Sequence, residues 1–272
     1  MSDFLGIARE RVFSPGKVDA DRAILEAVAD GLRRRRHTVR VVSAEEPLPL
    51  PTAKTTVFTM CQGEHALATV RAWERDGVRV VNSVESILNC HRHRMLECFA
   101  RAEVKAPETL LLTTEAPPDW PAWIERVGAW LKRGDVHATD ADDVVFVQSS
   151  AEAYAAVARF QARGIGRAIL QRHVPGVVIK FYAVANGYLA WFPPAETAVE
   201  LSAQQMIELR ALAQSGARAL GLEVYGGDCV ASVTEGLQLI DLNDWPSYAR
   251  CRAAGAEAIV TYLEALIETS KQ

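Results

Sequence analysis

Two hydrophobic periods alternate over the first part of the chain. FLGIA, TVRVVSA, TTVFTM and VRVVNS are short apolar runs of strand length. Between them, DADRAILEAVADGLRRR places Ile24, Leu25, Val28 and Leu32 at helical spacing, and GEHALATVRAWERDG repeats that period until Gly77 stops it. FSPGK reads as a turn and PLPLPTAK as a proline-rich connector. Strands separated by helices predict a parallel, doubly wound sheet.

The pattern then changes. SILNCHRHRMLECFARAEV reads as one helix, TLLLTT as a strand, PPDWPAWIERVG as a short helix, and GAWLKRGD as a strand end carrying Lys132. DVVFVQ is a strand, SAEAYAAVARFQARG a helix, and RAILQRHV a strand running into a Pro-Gly turn. VVIKFYAVANGYLAWF reads as two antiparallel strands turning at Asn186-Gly187. A helix over SAQQMIELRALAQSGARAL, strands EVYGGDCVASV and LQLIDLND, and a helix over RCRAAGAEAIVTYLEALI complete the order. The expected class is α/β joined to α+β. The expected units are residues 1–88 (parallel α/β), 89–174 (small, mixed) and 175–272 (mixed, closing the chain), with ligands held between them.

Composition narrows the function classes. The 272 residues are 49% hydrophobic and 24% charged, ordinary for a globular protein. A net charge of −4 argues against a chain dominated by contacts to phosphate backbones, so no nucleic-acid partner is expected. The run Arg33-Arg34-Arg35-Arg36 falls at a helix end, where cations meet the negative end of the dipole. No apolar run reaches membrane-spanning length, and MSDFLGIARE lacks the apolar core of a secretory signal. The five cysteines are scattered without CxxC spacing, which fits reduced thiols in a cytoplasmic protein and offers no zinc pattern. The oligomeric state stays open, a homodimer being one option.

The candidate chemistry gathers near the end. In IDLNDWPSY, Asp241 and Asn243 are two apart on a strand and share a face, making an oxygen half-site for a hard cation such as magnesium. A plain Asn-Asp-Pro turn is the competing reading. A hairpin through TEG would bring Asp228 of VYGGDCV beside them, completing a metal set of Asp228, Asp241 and Asn243. Lys180 and Lys132 interrupt apolar strands, where a lysine is costly unless paired; they suit a phosphate clamp, or else point to water. RGDVHATDAD suits a loop over phosphates, in which His137 reads better as a solvated loop histidine than as a substrate ligand. RVFSPGKVDAD, after the first strand, is the expected substrate loop, offering Arg11, Ser14 and Lys17. Asp244, Trp245, Ser247 and Tyr248 follow the metal strand as further substrate contacts, Trp245 reading better as packing.

Together these segments resemble the ATP-grasp superfamily, whose members include D-alanine–D-alanine ligase, glutathione synthetase, the ribosomal-protein glutamate ligases and inositol trisphosphate 5/6-kinase. IDLNDWPSY resembles its acid-x-Asn-x-x-Pro-Gly ending, and ILQRHVPG its adenine hinge. VNSVESILNCHRHRMLECFARAEVKAPETLL resembles its opening segment. The resemblance covers nearly the whole chain and implies ATP and Mg2+ as cofactors. It implies Asp228, Asp241 and Asn243 as magnesium ligands, and Lys132 on the ATP phosphates. It also implies Gln171, Arg172, His173 and Val174 as the hinge whose backbone reads adenine, Lys180 on the transferred phosphoryl group, and Arg92 where many members carry a nucleotide-binding lysine. Arg92 and Lys180 are then the catalytic cations.

Departures from the pattern bear on the reaction. Both metal acids are Asp where the ligases mostly use Glu, and Lys180 stands where they use Arg. Both features resemble the inositol phosphate kinases, yet His173 lies too close to Gln171 to match those kinases' substrate histidine. The available cations are Arg92, Arg94, His91 and His93, then Arg9, Arg11 and Lys17, then Arg250 and Arg252. That set suits a modestly anionic small molecule. The expected activity is a carboxylate–amine ligase working through an acyl phosphate. A small-molecule kinase and a non-catalytic ATP-binding module are the alternatives.

Overall fold

The computed structural model describes residues 2–135, 140–195 and 200–269. The chain opens as expected with β1 (Asp3–Ala8), α1 (Val18–Arg34), β2 (Thr38–Ser43), β3 (Thr55–Thr59), α2 (Glu64–Arg75) and β4 (Arg79–Val81). These strands form a parallel sheet in the order β2-β1-β3-β4. The apolar stripe of α2, with Leu67, Val70 and Trp73, packs with Leu5, Ile7 and Val57 of the sheet in one core.

The stretch read as one helix is two: α3 (Val84–Asn89), capped by the Ser83 hydroxyl, and α4 (Arg92–Arg101). His91 between them is extended, with φ −66 and ψ 129, so the backbone turns there and aims Arg92 in a new direction. Helical periodicity continues through the break with no Gly or Pro to mark it, so composition could not show it.

A second sheet combines β5 (Thr109–Thr113), β6 (Ala129–Arg133), β7 (Val144–Val147) and β8 (Arg167–Arg172) in the antiparallel order β5-β8-β6-β7. With α5 (Ile124–Val127) and α6 (Ser150–Ala162) it owns a separate core around Trp123, Leu131, Phe160 and Leu170. The third sheet joins β9 (Val177–Val184), β10 (Leu189–Phe192), β11 (Val224–Ser232) and β12 (Gly236–Asp244) in the order β10-β9-β11-β12, all antiparallel. One face packs on α7 (Ala203–Leu220), and there Met95 and Phe99 of α4 join Leu209, Ala213 and Leu239. Thus α4, counted above with residues 89–174, shares its core with the third unit.

The first and third units also share a core. Phe4, Ile24, Val28 and Phe58 pack with Val224, Trp245, Tyr248 and, from α8 (Arg252–Thr269), Ile259 and Leu263. Polar ties cross this junction too. Buried Asn82 donates from Nδ2 to the Val224 carbonyl at 2.7 Å and accepts from the Glu223 and Val224 amides at 2.8 and 3.0 Å. The arginine run at the end of α1 behaves as a helix terminus, with Arg35 pairing to Glu257 and Glu264 of α8. All five cysteines are free thiols. Among the described residues no helix is long and apolar enough to cross a membrane.

The β11–β12 pair is unusually close at Gly227. A Cβ built there would stand 2.4 Å from the Asp241 carbonyl oxygen, so only glycine lets the two backbones meet. Gly227→Ala is expected to destabilise the chain by about 1–3 kcal/mol, read as a lower urea midpoint at unchanged m-value. An unchanged midpoint would show that the strands part freely.

Candidate active site

The register of β11 and β12 places Asp228 directly across from Asp241, and Gly226 across from Asn243. Cross-strand partners share a face, so the three oxygen-bearing side chains lie together, as the turn reading of IDLNDWPSY does not require. Register shifts between Asp228 and Cys229: Cys229 pairs with Leu239, leaving Ile240 as the extra residue of a bulge. Such a bulge re-aims the next side chain, here Asp241. Gly226 contributes no side chain opposite Asn243, which leaves that side open.

Two carboxylates facing one another across a ladder repel. Cations from two other elements offset this. On β9, Lys180 pairs in register with Asp228, and its Nζ donates to Asp228 Oδ1 at 2.7 Å. Arg92, at the start of α4, donates from Nη2 to Asp241 Oδ2 at 2.8 Å and from Nη1 to the Arg133 carbonyl at 3.1 Å. A cation at a helix N-terminus opposes the dipole, and the first turn of α4 holds no acid. Asp241 supplies the missing counter-charge. Arg92 thereby ties β6 of the second unit to β12 of the third, and His93 adds a bond from its backbone N–H to the Gly134 carbonyl at 3.1 Å.

These groups line a cavity of about 580 Å³ where the first and third units meet. Arg92, Lys180, Asp228, Asp241 and Asn243 border it, as do Ser14, Lys17 and Ser247. Its floor on the first unit is a polar network. Arg9 donates to Asp21 at 3.2 Å and to the Trp245 carbonyl at 3.1 Å, and the Ser14 hydroxyl donates to Asp21 at 2.8 Å. Gln62 Nε2 donates to both oxygens of buried Asp244, at 2.9 and 3.0 Å.

Other expected site residues fall elsewhere. Arg11 is exposed, pairs with Glu45 and borders a neighbouring cavity beside β2. Arg94 pairs with Glu85 on a different face. Trp245 is fully buried, stacked on Phe58 and bonded to the Val81 carbonyl, as packing requires. Tyr248, considered for substrate, is likewise buried, its hydroxyl donating to the Ala183 carbonyl at 2.6 Å. His137 lies outside the described residues. Asp21 and Gln62 are functional positions that no sequence motif marks. The available signal was position: Gln62 follows β3, and the C-terminal ends of parallel strands line crevices.

Lys132 stands behind the cavity, buried on β6, its Nζ donating to Gln171 Oε1 at 2.7 Å. Gln171, on β8, reaches in turn toward the Ile240 carbonyl at 3.5 Å. Of the hinge residues, Arg172 pairs with Glu235, and its backbone N–H donates to the Glu108 carbonyl. His173 donates from its backbone to Gly128, accepts from the Trp130 indole and packs on Phe146, while Val174 is buried.

Magnesium takes oxygen ligands, and two carboxylates with an amide oxygen fit that chemistry. Among the described residues no group of three or more His, Cys, Asp or Glu is arranged to hold a metal ion.

No family model and no curated protein matches the sequence. Solved structures do. D-Alanine–D-alanine ligase from Bacillus anthracis, complexed with ATP, superposes with a TM-score of 0.73 at 10% identity, covering 100% of this chain and 99% of that one. A RimK domain ATP-grasp protein from Sphaerobacter thermophilus gives 0.66 at 20% identity, covering 95% and 99%. The ATP-grasp ligase PsnB, complexed with minimal precursor, Mg and ADP, gives 0.69 at 16% identity, covering 97% and 98%.

The chain has the ATP-grasp fold. Lys132 and Arg92 stand where the antiparallel sheets of the second and third units meet. Burial, reinforced by the Arg92 charge, brings the Lys132 pKa down to about 8 from 10.5, against the opposing pull of Asp241 and Asp228.

The folded state binds this proton more weakly than the unfolded chain, so the ammonium costs stability below about pH 8, and the cost fades toward 10.5. Lys132→Met is therefore expected to stabilise the chain at neutral pH by about 1–3 kcal/mol. The gain should shrink as pH rises through that window. Denaturant unfolding at pH 7 and 10 checks this, and a destabilised variant at both would contradict it.

Proposed function

We propose that the chain is a magnesium- and ATP-dependent carboxylate–amine ligase acting on a small acid. One observation carries the reading: Asp228 and Asp241 face each other in register, neutralised by Lys180 and Arg92, on the wall of a cavity between units. Asp228, Asp241 and Asn243 would hold magnesium, which supplies positive charge to the β- and γ-phosphate oxygens. Lys180 and Arg92, which hold these carboxylates, would supply positive charge to the phosphates of bound ATP. Lys132 adds charge from behind. The bulk of the nucleotide would lie between the grasping sheets, against Val174 and the carbonyls of the hinge, since the Arg172 and His173 amides are already bonded.

In this reading a carboxylate of the substrate attacks the γ-phosphorus, the bond to ADP breaks, and an acyl phosphate forms. An amine then attacks the acyl carbon and phosphate leaves. Fixed positive charge favours the phosphoryl transition state over the ground state. The kinase alternative needs a dense basic pocket for an inositol phosphate. Arg9, Lys17, Arg92, Lys180 and Arg250 are instead matched along this cavity by Asp21, Asp228, Asp241 and Asp244, which favours a substrate of mixed charge.

With Mg–ATP and pooled amino acids or small carboxylic acids, the chain should release ADP, and hydroxylamine should trap a hydroxamate. A phosphorylated alcohol without hydroxamate would establish the kinase, and nucleotide binding without turnover the regulatory module. Asp241→Asn should lower turnover by roughly two orders of magnitude or more while the chain stays folded. Full activity in that variant would remove the metal assignment. ATP affinity should also decline as pH rises past about 8, where Lys132 loses its charge; a flat profile from pH 7 to 9 would exclude that lysine from the phosphate site.

A further inference from the structure

A second cavity, of about 590 Å³, opens beside the first. Phe13 and Gln62 border both. From that junction it follows one face of α2, along which Leu67, Ala68, Arg71 and Arg75 recur at helical spacing. Its middle is apolar: Leu67 and Ala68 on α2 stand opposite Val84 and Leu88 of α3. Its two ends differ in charge. The near end holds Glu64, with Asp244 behind Gln62. The far end holds Arg71 and Arg75; Arg71 shares Glu85 across 3.5 Å, and Arg75 has no ion pair among the described residues.

Gln62 gives the second observation. It is only 7% exposed, and its Nε2 is used on Asp244, yet its buried Oε1 has no hydrogen-bond partner. A buried acceptor without a donor is costly, and a ligand N–H at this junction would satisfy it. The helix rises about 1.5 Å per residue, so Glu64, beside Gln62, stands roughly 10 Å from Arg71 and roughly 16 Å from Arg75. Long side chains on a helix lean back toward its N-terminus, so the gap to Arg71 matches about two to three residues of extended peptide at about 3.4 Å each.

We infer that this second cavity is the acceptor subsite, and that the acceptor is a short apolar peptide. Its α-amino group sits at Gln62, its side chains lie against Leu67, Ala68, Val84 and Leu88, and its C-terminal carboxylate reaches Arg71 and Arg75. The inference rests on the ligase reading, which alone consumes an amine. The amine must be the near end, because only that end reaches the acyl phosphate. There the nitrogen forms the amide bond to the acyl carbon, the carbon–oxygen bond to phosphate breaks, phosphate leaves with that electron pair, and the nitrogen's proton passes to the departing phosphate.

Calorimetry on the full chain, alone and with saturating Mg–ADP, tests the subsite with Leu-Leu, Leu-Leu-amide, N-acetyl-Leu-Leu and Gly-Gly as probes. Leu-Leu should bind, with each of the other three at least tenfold weaker. In the doubly substituted Arg71→Glu/Arg75→Glu chain, both sites being exposed, the preference for Leu-Leu over its amide should vanish. Ala68→Trp, also at an exposed position, should weaken Leu-Leu at least tenfold by filling the slot. No Leu-Leu binding, no discrimination among the probes, or indifference to both variants would overturn the subsite while Mg–ATP still bound. Leu-Leu binding in a chain without affinity for Mg–ATP would instead remove the ligase reading and the acceptor role with it.

Discussion

The arrangement depends on two like charges being held opposite one another. Asp228 and Asp241 meet across β11 and β12, where repulsion would normally select against the pairing. The fold tolerates it by bringing a lysine from the next strand and an arginine from a helix of different origin. Those two cations need a negative partner in the resting chain and have one. In the proposed reading these same carboxylates and cations engage the magnesium–nucleotide complex.

The cores serve that geometry differently. The first and third units are fused through Phe4, Ile24, Trp245 and Tyr248, with Asn82 as a buried polar tie, so the cavity between them has fixed walls. The antiparallel sheet of the second unit has its own core, and Arg92 and Gln171 tie it to β12 by polar contacts. Polar contacts of that kind are the ones a charged ligand can replace. Lys132 shows the same tension in one residue: its burial opposes its charge, and a phosphate would relieve it.

Much of this was legible in the residues. Asp241-x-Asn243 on a strand and Asp228 beyond a short turn predict a shared face, and the register bears out that geometry. Lys180 and Lys132 stood out because each interrupts an apolar strand; one proved exposed and paired, the other buried. What stayed hidden depends on tertiary direction. Nothing in NCHRH marks the extended backbone at His91 that aims Arg92 inward and Arg94 away. Tyr248 reads as a site residue from its place after Asp241, yet its backbone, at φ 48, turns it into the core. Gln62, an uncharged amide in a loop, gives no signal until its burial and unpartnered oxygen are seen.

Crystals grown with manganese and ADP would address the central claim directly through anomalous scattering. The account predicts a peak coordinated by Asp228, Asp241 and Asn243, with Lys180 and Arg92 turned toward phosphate oxygens. Bound nucleotide with the metal elsewhere, and both ion pairs intact, would contradict it.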